Sequence, residues 1–258
     1  MLFRSIVVSL CALSLGTNVF AAADQSRGWG SSWTTPHSAQ EREARDLDEE
    51  MRKALKNEDW TAVARILEEG RKLNPNSLQL TYASALVAMK RQHYADATAA
   101  YSRMLTLPSA RSSASLSSEI YTERAYTEAL QNSYQSARAD LERAIALDKT
   151  NLRAHNNYAW LLATCPEASV RDGQRALTFA RSLNQRLNSN NASALDTLAA
   201  AQAETGDFRG AIKTQQRAVS AAKAESRGVY QQHLTSYQNG QPVHTAPDRP
   251  AIKINTKF

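Results

Sequence analysis

Residues 192–225 read ASALDTLAAAQAETGDFRGAIKTQQRAVSAAKAE. A run rich in small apolar residues ends at Gly206-Asp207, and Phe208 opens a second run. The same large-then-small pattern recurs upstream. Ala199 closes the series Met51, Ala85, Ala125, Ala159, Ala199, and Ala211 closes the series Val63, Ala97, Ala137, Ala176, Ala211. Phe208 closes an aromatic series, Trp60, Tyr94, Tyr134, Phe208. Neighbouring members lie 34 residues apart, or about 40 where a joint is longer, and Tyr134 to Phe208 spans two such intervals. A period near 34 with this pattern marks helix–turn–helix repeats. A small residue on each helix allows the two helices of a unit to approach closely. The aromatic at each turn is expected to fill the gap between neighbouring units. Each unit then touches only its neighbours, and the stack leaves an extended concave face.

Working outward, the remaining helices follow from spacing and punctuation. Asp59 is placed to cap a helix carrying Val63, Ile66, Leu67 and Leu73, which Asn74-Pro75 ends. The spacing predicts helices over 78–91, 94–106, 115–131, 134–147, 152–164 (capped by Asn151), 171–186, 192–205 and 208–223. Pro108 to Ala114 reads as a lengthened joint, and Thr164 to Val170 as an extended turn. A final helix over 226–238 turns Tyr230, Leu234 and Tyr237 inward and Gln231, Gln232 and Gln238 outward, as a solubilising cap would. The expected fold is all-α: a right-handed superhelical solenoid of about five repeats over 41–238, closed by that C-terminal helix.

The chain begins as an export signal does. Arg4 gives a positive n-region, Ile6 to Leu15 an apolar core, and Ala21-Ala22-Ala23 a small-residue cleavage site. The apolar stretch is short of the roughly 20 residues that span a bilayer. We expect residues 1–23 to be removed and the remainder to reside in a bacterial periplasm. Removal deletes Arg4 and no acid, so the formal charge of +6 becomes +5, a mild excess that excludes no partner class. Cys11 leaves with the signal, so Cys165 is left without an internal disulfide partner. Residues 24–40 are rich in Gly, Ser, Thr and Pro and read as a flexible leader, with Trp29 and Trp33 free to dock on a partner or on the solenoid. Ser38 and Glu41 form a capping box for the first helix. Residues 239–258 carry Gly240, Pro242, Pro247 and Pro250 and read as a mobile tail.

Taken together these residues resemble tetratricopeptide repeats. Ala199, Gly206-Asp207-Phe208, Ala211 and Ala218 stand in that family's order, as do Tyr121, Ala125, Tyr134, Ala137, Leu141 and Ala144. Asn156 to Pro166 (NNYAWLLATCP) resembles a bacterial variant with an extended turn. The first unit, 44–77, departs from the pattern at Met51 and Val63. The resemblance implies that the first helix of each pair lines a concave groove. There it places Arg45, Asp48 and Arg52, then Tyr82, Leu86 and Met89, then Glu119, Thr122 and Tyr126, then Arg153, Asn156 and Trp160, and finally Asp196 and Ala200. We take Tyr82, Leu86, Met89, Tyr126, Arg153, Asn156 and Trp160 as the candidate partner-binding groove. Aromatic anchors ringed by polar groups are what a peptide hot spot requires; the competing reading has Tyr126 and Trp160 packing between helices. The Lys and Asn pattern that clamps the acidic C-terminus of cytosolic chaperones is absent.

The sequence carries no His-Glu-x-x-His, Cys-x-x-Cys, Gly-x-Ser-x-Gly or phosphate-loop motif, and its five histidines are scattered. We therefore expect no catalytic residues, metal or cofactor, and a role as an exported scaffold or adaptor. It would bind a peptide or protein segment and support assembly of an envelope or secretion complex. Binding of peptidoglycan or another wall polysaccharide, or service as an enzyme-associated subunit, is the alternative. Intact-mass measurement on protein from the envelope fraction checks the first step: the mass should lack residues 1–23, and a species retaining Met1 to Phe20 would sink the export reading.

Overall fold

The structure, a computed structural model, describes residues 39–57, 59–188 and 190–244. The export stretch, the Ser38 capping box, Trp29, Trp33 and the tail beyond His244 lie outside the described residues, as do the side chains of Arg45 and Asp48. The described residues form helices and connecting turns, with no strand. The chain divides into two compact units, one reaching Gln131 and the other starting at Asn132.

The first unit contains α1 (Ala39–Lys56), α2 (Trp60–Leu73), α3 (Leu78–Lys90), α4 (Tyr94–Thr106), α5 (Pro108–Arg111) and α6 (Ala114–Leu130). The second contains α7 (Tyr134–Leu147), α8 (Leu152–Thr164), α9 (Gly173–Arg186), α10 (Ala192–Glu204), α11 (Phe208–Ala221) and α12 (Ala224–Gln238). Within each unit successive helices pack on one another, and first helices of adjacent pairs, such as α8 and α10, also meet. The turn α5 was not expected. Pro108 begins it at the position where a missing N–H costs nothing, so the lengthened joint is itself helical.

The helix starts have a local cause. Asp59, Ser77, Ser113, Asn151, Asp172, Asn191 and Asp207 each accept a hydrogen bond from the backbone N–H three residues on, which satisfies a donor the helix cannot. The turns within pairs are equally specific. Gln92 and Asn132 take positive φ (61° and 60°), as does Gly206 (85°). His93 N–H then reaches Ala88 O, and Asp207 N–H reaches Gln202 O. This is the Schellman closure, in which a left-handed residue turns the chain back on its own last carbonyls.

The alanine ladder lies at the helix crossings. Ala85, Ala125, Ala159 and Ala199 are at most 1% exposed, and so are Ala97, Ala137, Ala176 and Ala211. In the irregular first pair, Met51 and Val63 are fully buried against Ala54, Ile66 and Leu67. Gly70 serves the same end in α2, since a Cβ there would press on Leu80 of α3 at 2.7 Å. The aromatic series behaves less uniformly. Tyr134 is buried, whereas Trp60, Tyr94 and Phe208 are half-buried. All four stand at the first residue of their helices, and Lys90 lies over the Trp60 ring, 5.5 Å from its centre.

The extended turn after α8 is fastened by one side chain. Arg171 Nη1 donates to Cys165 O (2.8 Å) and Pro166 O (3.2 Å), and its Nε donates to Glu204 of α10 (2.9 Å). Cys165 is 1% exposed, more deeply buried than its place at a turn implied. Burial pushes its thiol up, away from the reactive thiolate.

Replacing Ala125 or Ala199 with Leu should overpack a crossing and cost about 1–3 kcal/mol. Thermal unfolding followed by circular dichroism checks this; unchanged melting temperatures in both variants would contradict the helix pairing.

Candidate functional site

The first helices of the pairs carry the candidate groove residues, and each unit presents them differently. In the first unit, Tyr82 and Leu86 on α3 are 1% and 2% exposed. They belong to a core with Ala97, Tyr101, Met104, Leu116 and Ile120. Met89 is half-buried and packs on that core. Helix α3 is apolar nearly all round, so these side chains serve packing. Tyr126 and Glu119 on α6 are half-buried, and Arg52 on α1 is exposed. Thr122 is buried, its hydroxyl donating to Ser118 O (2.8 Å). Between α4 and α6 a polar link runs from Gln131 Nε2 to Thr98 Oγ1 (2.8 Å) and from there to Thr127 Oγ1 (2.7 Å).

The second unit gathers its candidates into a polar cluster. Asn156 on α8 is 1% exposed and accepts from Thr197 Oγ1 of α10 (2.9 Å). Asp196, next to Thr197, has no exposed surface. Its Oδ1 accepts from Gln215 Nε2 of α11 (2.7 Å) and pairs with His233 Nδ1 of α12 (2.8 Å). Gln215 Nε2 also donates to Tyr230 O (3.0 Å), which fixes α12 against α11. Trp160 is 8% exposed, with its ring 5.6 Å from the His233 imidazole and tilted by 34°. Arg153 is buried at the start of α8, and Ala200 lies buried one turn beyond Asp196. Asn156 Nδ2 and Gln215 Oε1 are buried without a hydrogen-bond partner among the described residues.

Sequence reasoning treated His233 as an ordinary histidine and did not single out Gln215. A signal existed for the first. Tyr230, His233, Leu234 and Tyr237 share one helix face, so His233 had to point into the unit. Burial pushes its pKa down to about 4. In its neutral form the ring can donate Nδ1–H to the Asp196 carboxylate 2.8 Å away. This leaves Nε2 as an acceptor. The cluster thus joins an imidazole, an indole, a carboxylate and two amides, most of them buried and bonded to one another. Among the described residues no group of three or more His, Cys, Asp and Glu could hold a metal ion. No helix among them is long and apolar enough to cross a membrane.

No family model matches the chain, and no curated protein matches it. Solved structures do. YrrB, described as a TPR protein with an unusual peptide-binding site, is 14% identical, and the match covers 76% of this chain and 98% of that one with a TM-score of 0.51. The fold is the tetratricopeptide-repeat fold. The TPR domain of P58(IPK) is 12% identical over 90% of this chain and 76% of its own, but its TM-score of 0.34 carries no argument. Within each unit the helices and capping turns lie where spacing and capping residues put them in the sequence.

The His233 geometry makes stability depend on pH. The folded-state pKa of about 4 lies below the 6.5 of the free side chain, so the unfolded chain takes up the proton first. The stabilisation is complete above about pH 6.5 and is lost as pH falls towards 4, on the order of 2–3 kcal/mol. The melting-temperature gap between wild type and His233→Gln should therefore narrow as the buffer is acidified. A gap that stays constant with pH would contradict a buried neutral imidazole.

Proposed function

We propose that this chain is an exported scaffold that binds a peptide or protein segment along the first helices of its repeats and supports assembly of an envelope or secretion complex. The carrying observation is that the first helices keep Met89 and Tyr126 half-buried and Arg153 and Trp160 8% exposed, whereas Tyr82 and Leu86 are in the core. The tetratricopeptide-repeat fold supports a protein-interaction scaffold, and YrrB, whose fold it shares, has a peptide-binding site. Tyr126 and Met89 of the first unit, and Arg153 and Trp160 of the second, remain the groove residues of this reading; Tyr82 and Leu86 hold those helices in place from the core. The charged n-region, apolar core and small-residue site within residues 1–23 support periplasmic delivery. The role is one of binding, without catalysis or cofactor, in keeping with the absence of a catalytic motif from the sequence.

The test is capture from envelope extract by the immobilised full chain, with bound proteins identified by mass spectrometry. Each unit is probed by its own substitution, Tyr126→Ala or Trp160→Ala, after helicity is verified. Truncating a true hot spot should weaken capture by about 2 kcal/mol or more. Retention of wild-type affinity by both folded variants would remove the first-helix faces as the binding surface. Co-sedimentation with purified cell wall, without protein capture, would replace the peptide reading with a polysaccharide one.

A further inference from the structure

Helix α12 closes the second unit with few means of its own. It buries Tyr230, Leu234 and Tyr237, whereas the shorter α10 buries eight residues. Among the described residues no side chain caps its start at Lys223, and nothing lies within 4 Å of a Cβ placed on the exposed Gly228. Glycine weakens a helix interior, and no close packing at this position calls for it. The helix is held instead from its far end. Residues 239–244 read from the sequence as the start of a mobile tail, but the structure seats them. The chain turns at Gly240 (φ 68°), where Gln241 N–H donates to Ser236 O (3.0 Å). Val243, 7% exposed, then joins Tyr237 in a core with Ala199, Ala203 and Ala211. His244 Nε2 lies 2.6 Å from Glu204 Oε2, and Glu204 also accepts from Arg171 of the extended turn. Tyr237 stands one helical turn from His233, which meets Asp196 and the Trp160 ring.

We infer that residues 241–244 are a latch and α12 a lid: the latch keeps α12 closed over Trp160, Asp196 and Gln215, and its release opens Trp160 and Asp196 of the first helices to a partner segment. This is regulation of the face assigned above and rests on that reading. Two observations give the lid a second state. Helix α10 is packed between α9 and α11, whereas α12 ends the described stack and packs on α11, and the end of a stack opens most readily. Gln215, bonded to Tyr230 O of the lid, keeps its Oε1 buried without a hydrogen-bond partner among the described residues. Opening hydrates that oxygen and removes a cost of the closed state.

Hydrogen exchange of the full chain, read by mass spectrometry of its peptic peptides, tests the latch. In the double variant Val243→Gly, His244→Ala, the amides of α12 should exchange at least about tenfold faster, while those of α7 keep their wild-type rates. Diethyl pyrocarbonate should label His233 faster in this variant, with His155 on α8 labelled as in wild type. His244→Gln alone, which still offers Glu204 a donor, should behave as wild type. Gly228→Ala stiffens the lid without touching the latch and should slow α12 exchange about fivefold, an arm that stands even if the double variant does not fold. Faster exchange confined to residues 239–244 would show a loose end without a lid. Faster exchange throughout the unit would show lost stability alone. Either result overturns the inference, as does His233 labelling at the wild-type rate or a Gly228→Ala chain with unchanged α12 exchange. Undiminished partner capture by the folded Trp160→Ala variant would instead count against the first-helix reading and leave the exchange results standing, so the two fail separately.

Discussion

Everything in this chain depends on how closely two helices can cross. Dispersion contacts weaken steeply with separation, and a repeat of about 34 residues has little else with which to hold its two helices. Alanine at the crossing solves this: eight such alanines, four on each helix series, are at most 1% exposed. The first pair shows what happens when the rule is relaxed. Met51 and Val63 occupy the crossing instead, and both are still fully buried. Larger side chains there must be matched by small ones nearby, which is the role of Ala54 and of Gly70 beneath Leu80.

Close crossings leave little room for polar groups, so those that enter must be satisfied by neighbours. Helix α10 is where this constraint concentrates in the second unit. Thr197 binds Asn156, Asp196 binds Gln215 and His233, and Glu204 binds both Arg171 and His244. Asn184 on α9 donates to Ala194 O at the start of the same helix (2.8 Å). Four neighbouring helices, the extended turn and the segment after α12 are thus tied to one 13-residue helix. Directional hydrogen bonds specify one arrangement of their partners, here with Asn156 Nδ2 and Gln215 Oε1 left buried without a partner among the described residues. The network therefore fixes how α12 closes the unit more sharply than apolar contact alone, which would tolerate sliding.

The fold was legible because its signals are local. Period, capping residue and turn chemistry each act within a few residues of chain, so Asp59, Asn151 and Gly206-Asp207 could be read directly. The candidate site was less legible because membership of a helix face does not say what faces it. Tyr82 and Leu86 lie on the expected side of α3, yet that side meets further helices in a stacked unit and becomes core. Tyr126 and Trp160 left two readings open, and burial of Trp160 against His233 brings the packing role into the candidate site itself. His233 is the converse case: a polar residue on an apolar face, whose partner Asp196 lies 37 positions away and is brought to it only by tertiary structure.

The same separation governs charge. Composition gives a mild positive excess, +6 for the whole chain, but it does not say where the acids go. In the second unit they go largely inward or to the backbone. Asp172 and Asp207 cap helices, Asp140 and Asp196 are buried, Glu204 bridges Arg171 and His244, and Glu142 receives Tyr158, Arg138 and Arg175. A carboxylate engaged this way no longer offsets a surface cation a turn or two away. Helix α11 exposes Arg209, Lys213 and Arg217 and carries no acid of its own, so the placing of charge follows from how the unit holds itself together and not from composition.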